Sequence, residues 1–151
     1  MAIDYLFVYG TLRRDHGGPA ALRLAERAKF VGHGSVAGRL YLIDWYPGLI
    51  EAENQVDRVL GEIFAFEDAG LLDELDRYEE CSPANDETGE YRRVRRTVQL
   101  RGAPAWDSGE REAWAYLFNP PVEGLERILS GDFCRHRRKN SDIVDGHRSS
   151  I

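Results

Sequence analysis

Two cysteines, one methionine and four histidines are all that the 151-residue chain offers for thiol or soft-metal chemistry. Cys81 and Cys134 stand far apart with no Cys-x-x-Cys around either, and His16, His33, His136 and His147 have no paired helical spacing. That pattern argues against a metal site and leaves both cysteines as reduced bystanders. No apolar run approaches the ~18 residues of a membrane span, and the start, MAIDYLFVYG, lacks the basic region of a signal peptide. A cytoplasmic address and no membrane partner are expected. Positive charge is also short, with 20 Lys and Arg against 26 Asp and Glu for a net charge of −6, which argues against a nucleic-acid partner. Neither G-x-x-x-x-G-K-[ST] nor G-x-G-x-x-G occurs, so no nucleotide cofactor is called for.

What is present is enough for one packed domain: 42% of residues are hydrophobic and 30% charged, a globular balance without repeats. Residues 3–9 read as a short strand buried on both faces, ended by Gly10-Thr11. In Arg13 to Lys29, Gly17-Gly18-Pro19 reads as a loop before a short helix-like pattern around Leu22, Leu24 and Ala25. Gly34–Ile43 reads as one strand, and the Asp44–Glu53 stretch, with Tyr46-Pro47-Gly48 at its centre, as a turn. Val59–Phe66 is a strand with Gly61 inside it as a bulge or close approach. Glu67–Cys81 is the clearest helix, Ser82–Glu90 a loop, and Tyr91–Leu100 with Arg111–Phe118 a long hairpin. A short amphipathic segment is expected around Leu125, Ile128 and Leu129. The sum is an α+β fold: a single small domain over residues 1–134, a mainly antiparallel twisted sheet or barrel of five to seven strands, one prominent helix and short flanking helices. Residues 135–151 read as a charged C-terminal tail whose basic run, Arg135 to Lys139, is either a solvated terminus or a partner-binding patch.

Helical phase separates the acids of the long helix. At ~100° per residue, Glu79 falls inside the apolar stripe of Leu71, Leu72, Leu75 and Tyr78, whereas Asp73, Glu74, Arg77 and Glu80 fall outside it and Asp76 lies at its border. An inward carboxyl resists ionisation and so suits acid–base work near neutral pH. The alternative is a glutamate at a helix end that pairs with one of the arginines between Arg92 and Arg96. Tyr9-Gly10-Thr11-Leu12, where the first strand ends, is either an ordinary turn or a nest of backbone N–H groups for a carboxylate, with Gly10 supplying positive φ and close ligand approach.

The motifs FVYGTLRR (Phe7–Arg14), YPGL (Tyr46–Leu49), LDELDRYEEC (Leu72–Cys81), YRRV (Tyr91–Val94), AWAYLF (Ala113–Phe118) and SGDF (Ser130–Phe133) occur in an order and spacing that resembles the gamma-glutamylcyclotransferase superfamily, in particular its gamma-glutamylamine cyclotransferase-like branch. The resemblance implies that fold, a small-molecule gamma-glutamyl substrate bound at Tyr9, Gly10, Thr11 and Leu12, and Glu79 as the catalytic glutamate. It also implies the reaction: intramolecular attack of the substrate α-amine, releasing 5-oxoproline and a free amine from a gamma-glutamyl amine or gamma-glutamyl amino acid. The nucleophile then lies in the substrate, in keeping with a chain where no Ser/His or Cys/His pair stands out. Tyr91 and Tyr116 are expected as pocket walls, with core packing as the plainer role. Glu80 departs from the family pattern, which often has glycine there, and leaves two adjacent carboxylates to choose between. The rival reading is a non-catalytic domain that binds a small carboxylated metabolite.

Overall fold

Alternation along the first strand sorts the whole core. Phe7 and Tyr9 turn to one side and Leu6 and Val8 to the other, and all four are buried, because this strand has packed layers on both faces. The structure is a computed structural model that describes residues 3–14, 16–52, 54, 56–68, 70–79 and 89–140. Its elements run β1 (Asp4–Val8), α1 (Pro19–Arg27), β2 (Lys29–Ala37), β3 (Arg39–Leu42), β4 (Pro47–Ile50), β5 (Arg58–Phe66), α2 (Gly70–Tyr78), β6 (Tyr91–Leu100), β7 (Glu110–Phe118), β8 (Glu126–Arg127) and α3 (Phe133–Asn140).

Five strands close on themselves. Antiparallel pairs join β1 to β5, β5 to β2, β2 to β6 and β6 to β7, and a parallel contact of β1 with β7 at Leu6 and Trp114 completes the ring. The far end of β7 takes β4 in parallel at Leu117 and Leu49, and β3 and β8 extend that wing. Phe7, Tyr9, Val36, Val59, Ile63, Val98, Ala113 and Ala115 fill the interior with Phe133 of α3. Leu6, Val8, Phe64 and Phe66 face outward under Leu24 of α1 and Leu71 and Leu75 of α2. Gly61 marks the tightest point of the ring: a Cβ there would lie 2.2 Å from the Val8 carbonyl oxygen and 2.7 Å from the Phe7 ring. The close approach expected at Gly61 is therefore real, while the bulge sits elsewhere, between Phe30 and Gly32 of β2.

Several local expectations change. Gly34–Ile43 is two strands separated at Gly38, because β2 stays in the ring while β3 leaves it to pair with β4 and β8. The turn expected after Asp44 gives way at Pro47 to β4, whose Pro47, Gly48 and Leu49 are buried; pairing to β7 and β3 overrides the turn composition. The segment around Leu125 is the two-residue β8, with Ile128 buried, its N–H donated to the Leu40 carbonyl at 2.8 Å, and Leu129 exposed. The long helix is α2 over Gly70–Tyr78, shorter than its acidic run. At the other end, α3 spans the point where the charged tail was expected to start, with Phe133 and Cys134 buried; residues 141–151 lie outside the described part.

Candidate active site

The end of β1 is clamped before any ligand is considered. The Tyr9 hydroxyl donates to the Tyr116 carbonyl at 2.7 Å and accepts the Leu49 N–H at 3.2 Å. Burial raises its pKa well above that of a free tyrosine, with the charge of Glu79 next in effect. Gly10 does not take a positive φ. Its hydrogen atoms face the ring of Pro47: a Cβ would lie 2.8 Å from Cγ and 2.9 Å from Cδ. The group that requires glycine here is thus a proline of β4, and the positive φ expected at Gly10 is not taken. Beyond Gly10 the chain turns, with the Arg13 N–H on the Gly10 carbonyl at 3.0 Å. The turn is held from below by Glu62 of β5, fully buried, which accepts the Arg14 N–H at 2.6 Å, and by the buried Arg13 guanidinium on Asp132 at 2.8 Å. Among the described residues, the backbone N–H groups of Gly10, Thr11 and Leu12 have no acceptor. Three unsatisfied donors on successive residues form a ready site for an anionic or carbonyl oxygen.

Glu79 follows the last residue of α2 and keeps its helical phase, since its N–H bonds the Leu75 carbonyl at 2.9 Å. Its side chain lines the same cleft as Tyr9, Gly10, Thr11 and Leu12. No described residue hydrogen-bonds its carboxyl. Burial, reinforced by the charge of Glu90, pushes its pKa up to about 8; a position at the negative end of a helix acts in the same direction. The helix end itself is pinned. The Tyr78 hydroxyl, pushed up to about 12 by burial, shares a 3.0 Å hydrogen bond with Thr11 Oγ1. Asp76 accepts two bonds from Arg93, at 2.9 and 3.2 Å, and one from the Tyr116 hydroxyl at 2.7 Å. The arginine pairing held open for Glu79 therefore goes to Asp76, the acid at the border of the stripe.

The cleft has a volume of about 100 Å³. All seven residues singled out in the sequence, Tyr9, Gly10, Thr11, Leu12, Glu79, Tyr91 and Tyr116, line it. Tyr91 and Tyr116 are also core residues whose hydroxyls are committed, to the Pro47 carbonyl at 2.7 Å and to Asp76. Burial drives both phenols far above the usual tyrosine range, so they serve as walls and braces and not as proton donors to a ligand. Wall and core are here one role.

A model of the family described as "Gamma-glutamyl cyclotransferase, AIG2-like" matches residues 6–135, a span that takes in every residue of the cleft. The chain belongs to that family. A member from Escherichia coli strain K12, the gamma-glutamylcyclotransferase family protein YtfP, is 32% identical over 129 residues, covering 85% of this chain and 94% of its own. The solution structure of the E. coli protein superposes with a TM-score of 0.55 at 31% identity over 85% of this chain and 94% of that one. A mouse AIG2-like protein at 24% identity shares the fold, with a TM-score of 0.62 over 82% of each chain.

The cleft of this cyclotransferase-family chain is also lined by Phe7, Val8, Trp45, Tyr46, Pro47, Tyr78 and Glu90, which the sequence did not single out as site residues. Tyr78 was assigned to the apolar stripe, and Glu90 was placed only at the end of a loop, yet both line the cleft. Glu90 is held there by a hydrogen bond from the Tyr46 hydroxyl. Helical phase could have flagged Tyr78; nothing local distinguishes Glu90, which arrives through the β6 start and the pairing of its carbonyl with the Asn119 N–H at 3.0 Å. Glu80 and the loop residues 81–88 lie outside the described part. Among the described residues, no group of three His, Cys, Asp or Glu is placed to hold a metal ion, and no helix is long and apolar enough to cross a membrane.

Proposed function

We propose that the chain is a 5-oxoproline-forming cyclotransferase acting on gamma-glutamyl amides, with Glu79 as the general base and then the general acid. One observation carries this reading: a carboxyl with no hydrogen-bond partner among the described residues, and a pKa near 8, shares a small cleft with three unsatisfied backbone donors. The donors of Gly10–Leu12 suit the substrate's α-carboxylate and the oxyanion that develops on its gamma-carbonyl. The α-amine nitrogen attacks the gamma-carbonyl carbon, and its proton passes to the Glu79 carboxylate. The tetrahedral intermediate then collapses, the bond from carbon to the leaving nitrogen breaks, and Glu79 returns the proton to that nitrogen. The products are 5-oxoproline and a free amine, and Glu79 ends as it began. Holding the glutamyl chain bent for ring closure supplies several kcal/mol of the barrier.

The assay is release of 5-oxoproline from a panel of gamma-glutamyl amides, with folding followed by circular dichroism. Glu79→Gln is expected to lower kcat/KM by at least ~100-fold with the fold intact, while Glu80→Gln keeps most of the activity. Full activity in Glu79→Gln refutes the assignment, and total loss in Glu80→Gln moves it to the neighbour. A wild-type protein that binds 5-oxoproline but turns over no member of the panel is a binding domain and not an enzyme.

A further inference from the structure

The cleft holds a second carboxylate that the reaction above does not use. Glu90 enters at the start of β6 and is held by the Tyr46 hydroxyl, and Tyr46 packs edge-on against Trp45 with ring centroids 4.8 Å apart. Trp45, Tyr46 and Glu90 thus form one wall of the cleft. No Lys, Arg or His is among the described residues that line it.

The charge balance of the reaction makes this wall informative. The α-carboxylate of a gamma-glutamyl group is matched to the N–H corner, and its α-amine is matched to Glu79, so neither needs Glu90. A leaving group that ends in a carboxylate would bring a further negative charge into a cleft whose described lining holds no cation to meet it, at a cost that low polarity increases. A leaving group that ends in an ammonium meets Glu90 beside the aromatic rings of Trp45 and Tyr46, side chains of a type that attracts cations.

Resting on the cyclotransferase reading, we propose that Glu90, set by Tyr46 in the Trp45–Tyr46 wall, selects gamma-glutamyl amides whose leaving amine carries a second positive charge, the class of aliphatic diamines and polyamines, over those whose leaving group carries a carboxylate. Glu90 is a specificity-determining residue of the same site.

Three gamma-glutamyl amides of matched length test it: those of 1,4-diaminobutane, n-butylamine and 4-aminobutanoate. They share the glutamyl half, so anything that half contributes cancels in the ratios. Wild-type kcat/KM is expected to fall in that order, with cation over anion by at least about tenfold, the scale of one half-exposed ion pair. High salt should compress the ratio. Glu90→Gln, which keeps an acceptor for the Tyr46 hydroxyl, should bring the cationic and anionic amides to within a few-fold of each other. A wild-type enzyme that handles the anionic amide as well as the cationic one overturns the proposal, as does a ratio unchanged by Glu90→Gln. If that variant fails to fold, the salt dependence of the wild-type ratio decides in its place. If no amide is turned over, calorimetry of the free amines in wild type and Glu90→Gln reads the same preference. In that case the reaction has failed, and the charge selection stands or falls on the calorimetry alone.

Discussion

Replacing Glu79 by Gln should make the protein more stable, by an amount that depends on pH. The ordinary glutamate carboxyl loses its proton near 4.5, and in the folded chain Glu79 keeps it up to about 8 because burial disfavours the charge. Between those values the native state binds more protons than the unfolded chain, so wild-type stability falls as pH rises through this window. At about 1.36 kcal/mol per pH unit, the full cost above pH 8 is about 5 kcal/mol. The carboxyl is partly open to the cleft, and water there screens some of the penalty, so about 2–4 kcal/mol is the expected size. Glutamine has no proton to lose and is close in shape to the protonated acid. Urea unfolding of wild type and Glu79→Gln at about pH 5, 7 and 9 reads the effect. The stability difference should grow from pH 5 to 8 and then level off, and any pH-independent packing change drops out of the comparison. A difference that is flat with pH, or a variant less stable relative to wild type at pH 9 than at pH 5, refutes the argument that this carboxyl resists charge. Stability given up at a working side chain is the usual exchange at active sites.

On the cyclotransferase reading, the same carboxyl should set the pH dependence of turnover. kcat/KM should rise with pH through about 8, and Glu90→Gln should move that rise to lower pH, since the charge of Glu90 helps hold the proton on Glu79; the other titratable groups lining the cleft, Tyr9, Tyr46, Tyr78, Tyr91 and Tyr116, are phenols. A profile already level by pH 6, or one that Glu90→Gln leaves in place, contradicts this assignment of charge. Gly10→Ala forces a methyl into the Pro47 ring, so β1 and β4 must part. A loss of about 1–3 kcal/mol of stability and about 10–100-fold in kcat/KM is expected in denaturant unfolding and steady-state kinetics, and an unchanged kcat/KM shows that the corner tolerates the shift.

The fold was legible where local pattern and tertiary demand agree. Residues 3–9, Val59–Phe66 and the Tyr91–Phe118 hairpin announced themselves by run length, β-formers and bounding turns, and each lies in the closed ring. Glu79 was legible because 3.6-residue periodicity carries directional information one residue beyond the last turn of α2. Tertiary pairing hid the rest. Pro47-Gly48 has turn composition and yet forms β4, because β3 and β7 supply partners that no local window contains. The sequence marked Gly10 as a close approach, and the neighbour that demands glycine lies 37 positions away in Pro47, outside any local window. Glu90, the last residue of the loop Ser82–Glu90, is not distinguished in the sequence from the other acids there until the fold brings it beside Tyr46.

The contact of Gly10 with Pro47 has a consequence for how such a cleft can change its substrate. One side of that contact carries the Gly10–Leu12 corner of unsatisfied N–H groups, and the other leads directly into the Trp45–Tyr46 wall, with the Tyr91 hydroxyl bonded to the Pro47 carbonyl as well. The backbones of the two halves are therefore locked together. Insertions or shifts that reshape the Trp45–Tyr46 side are transmitted to the Gly10–Leu12 corner. On the cyclotransferase reading, new amines would be accommodated most cheaply by exchanging the side chains of Trp45, Tyr46 and Glu90 on an unchanged frame, which makes those three positions, and not the loop path, the place to diversify.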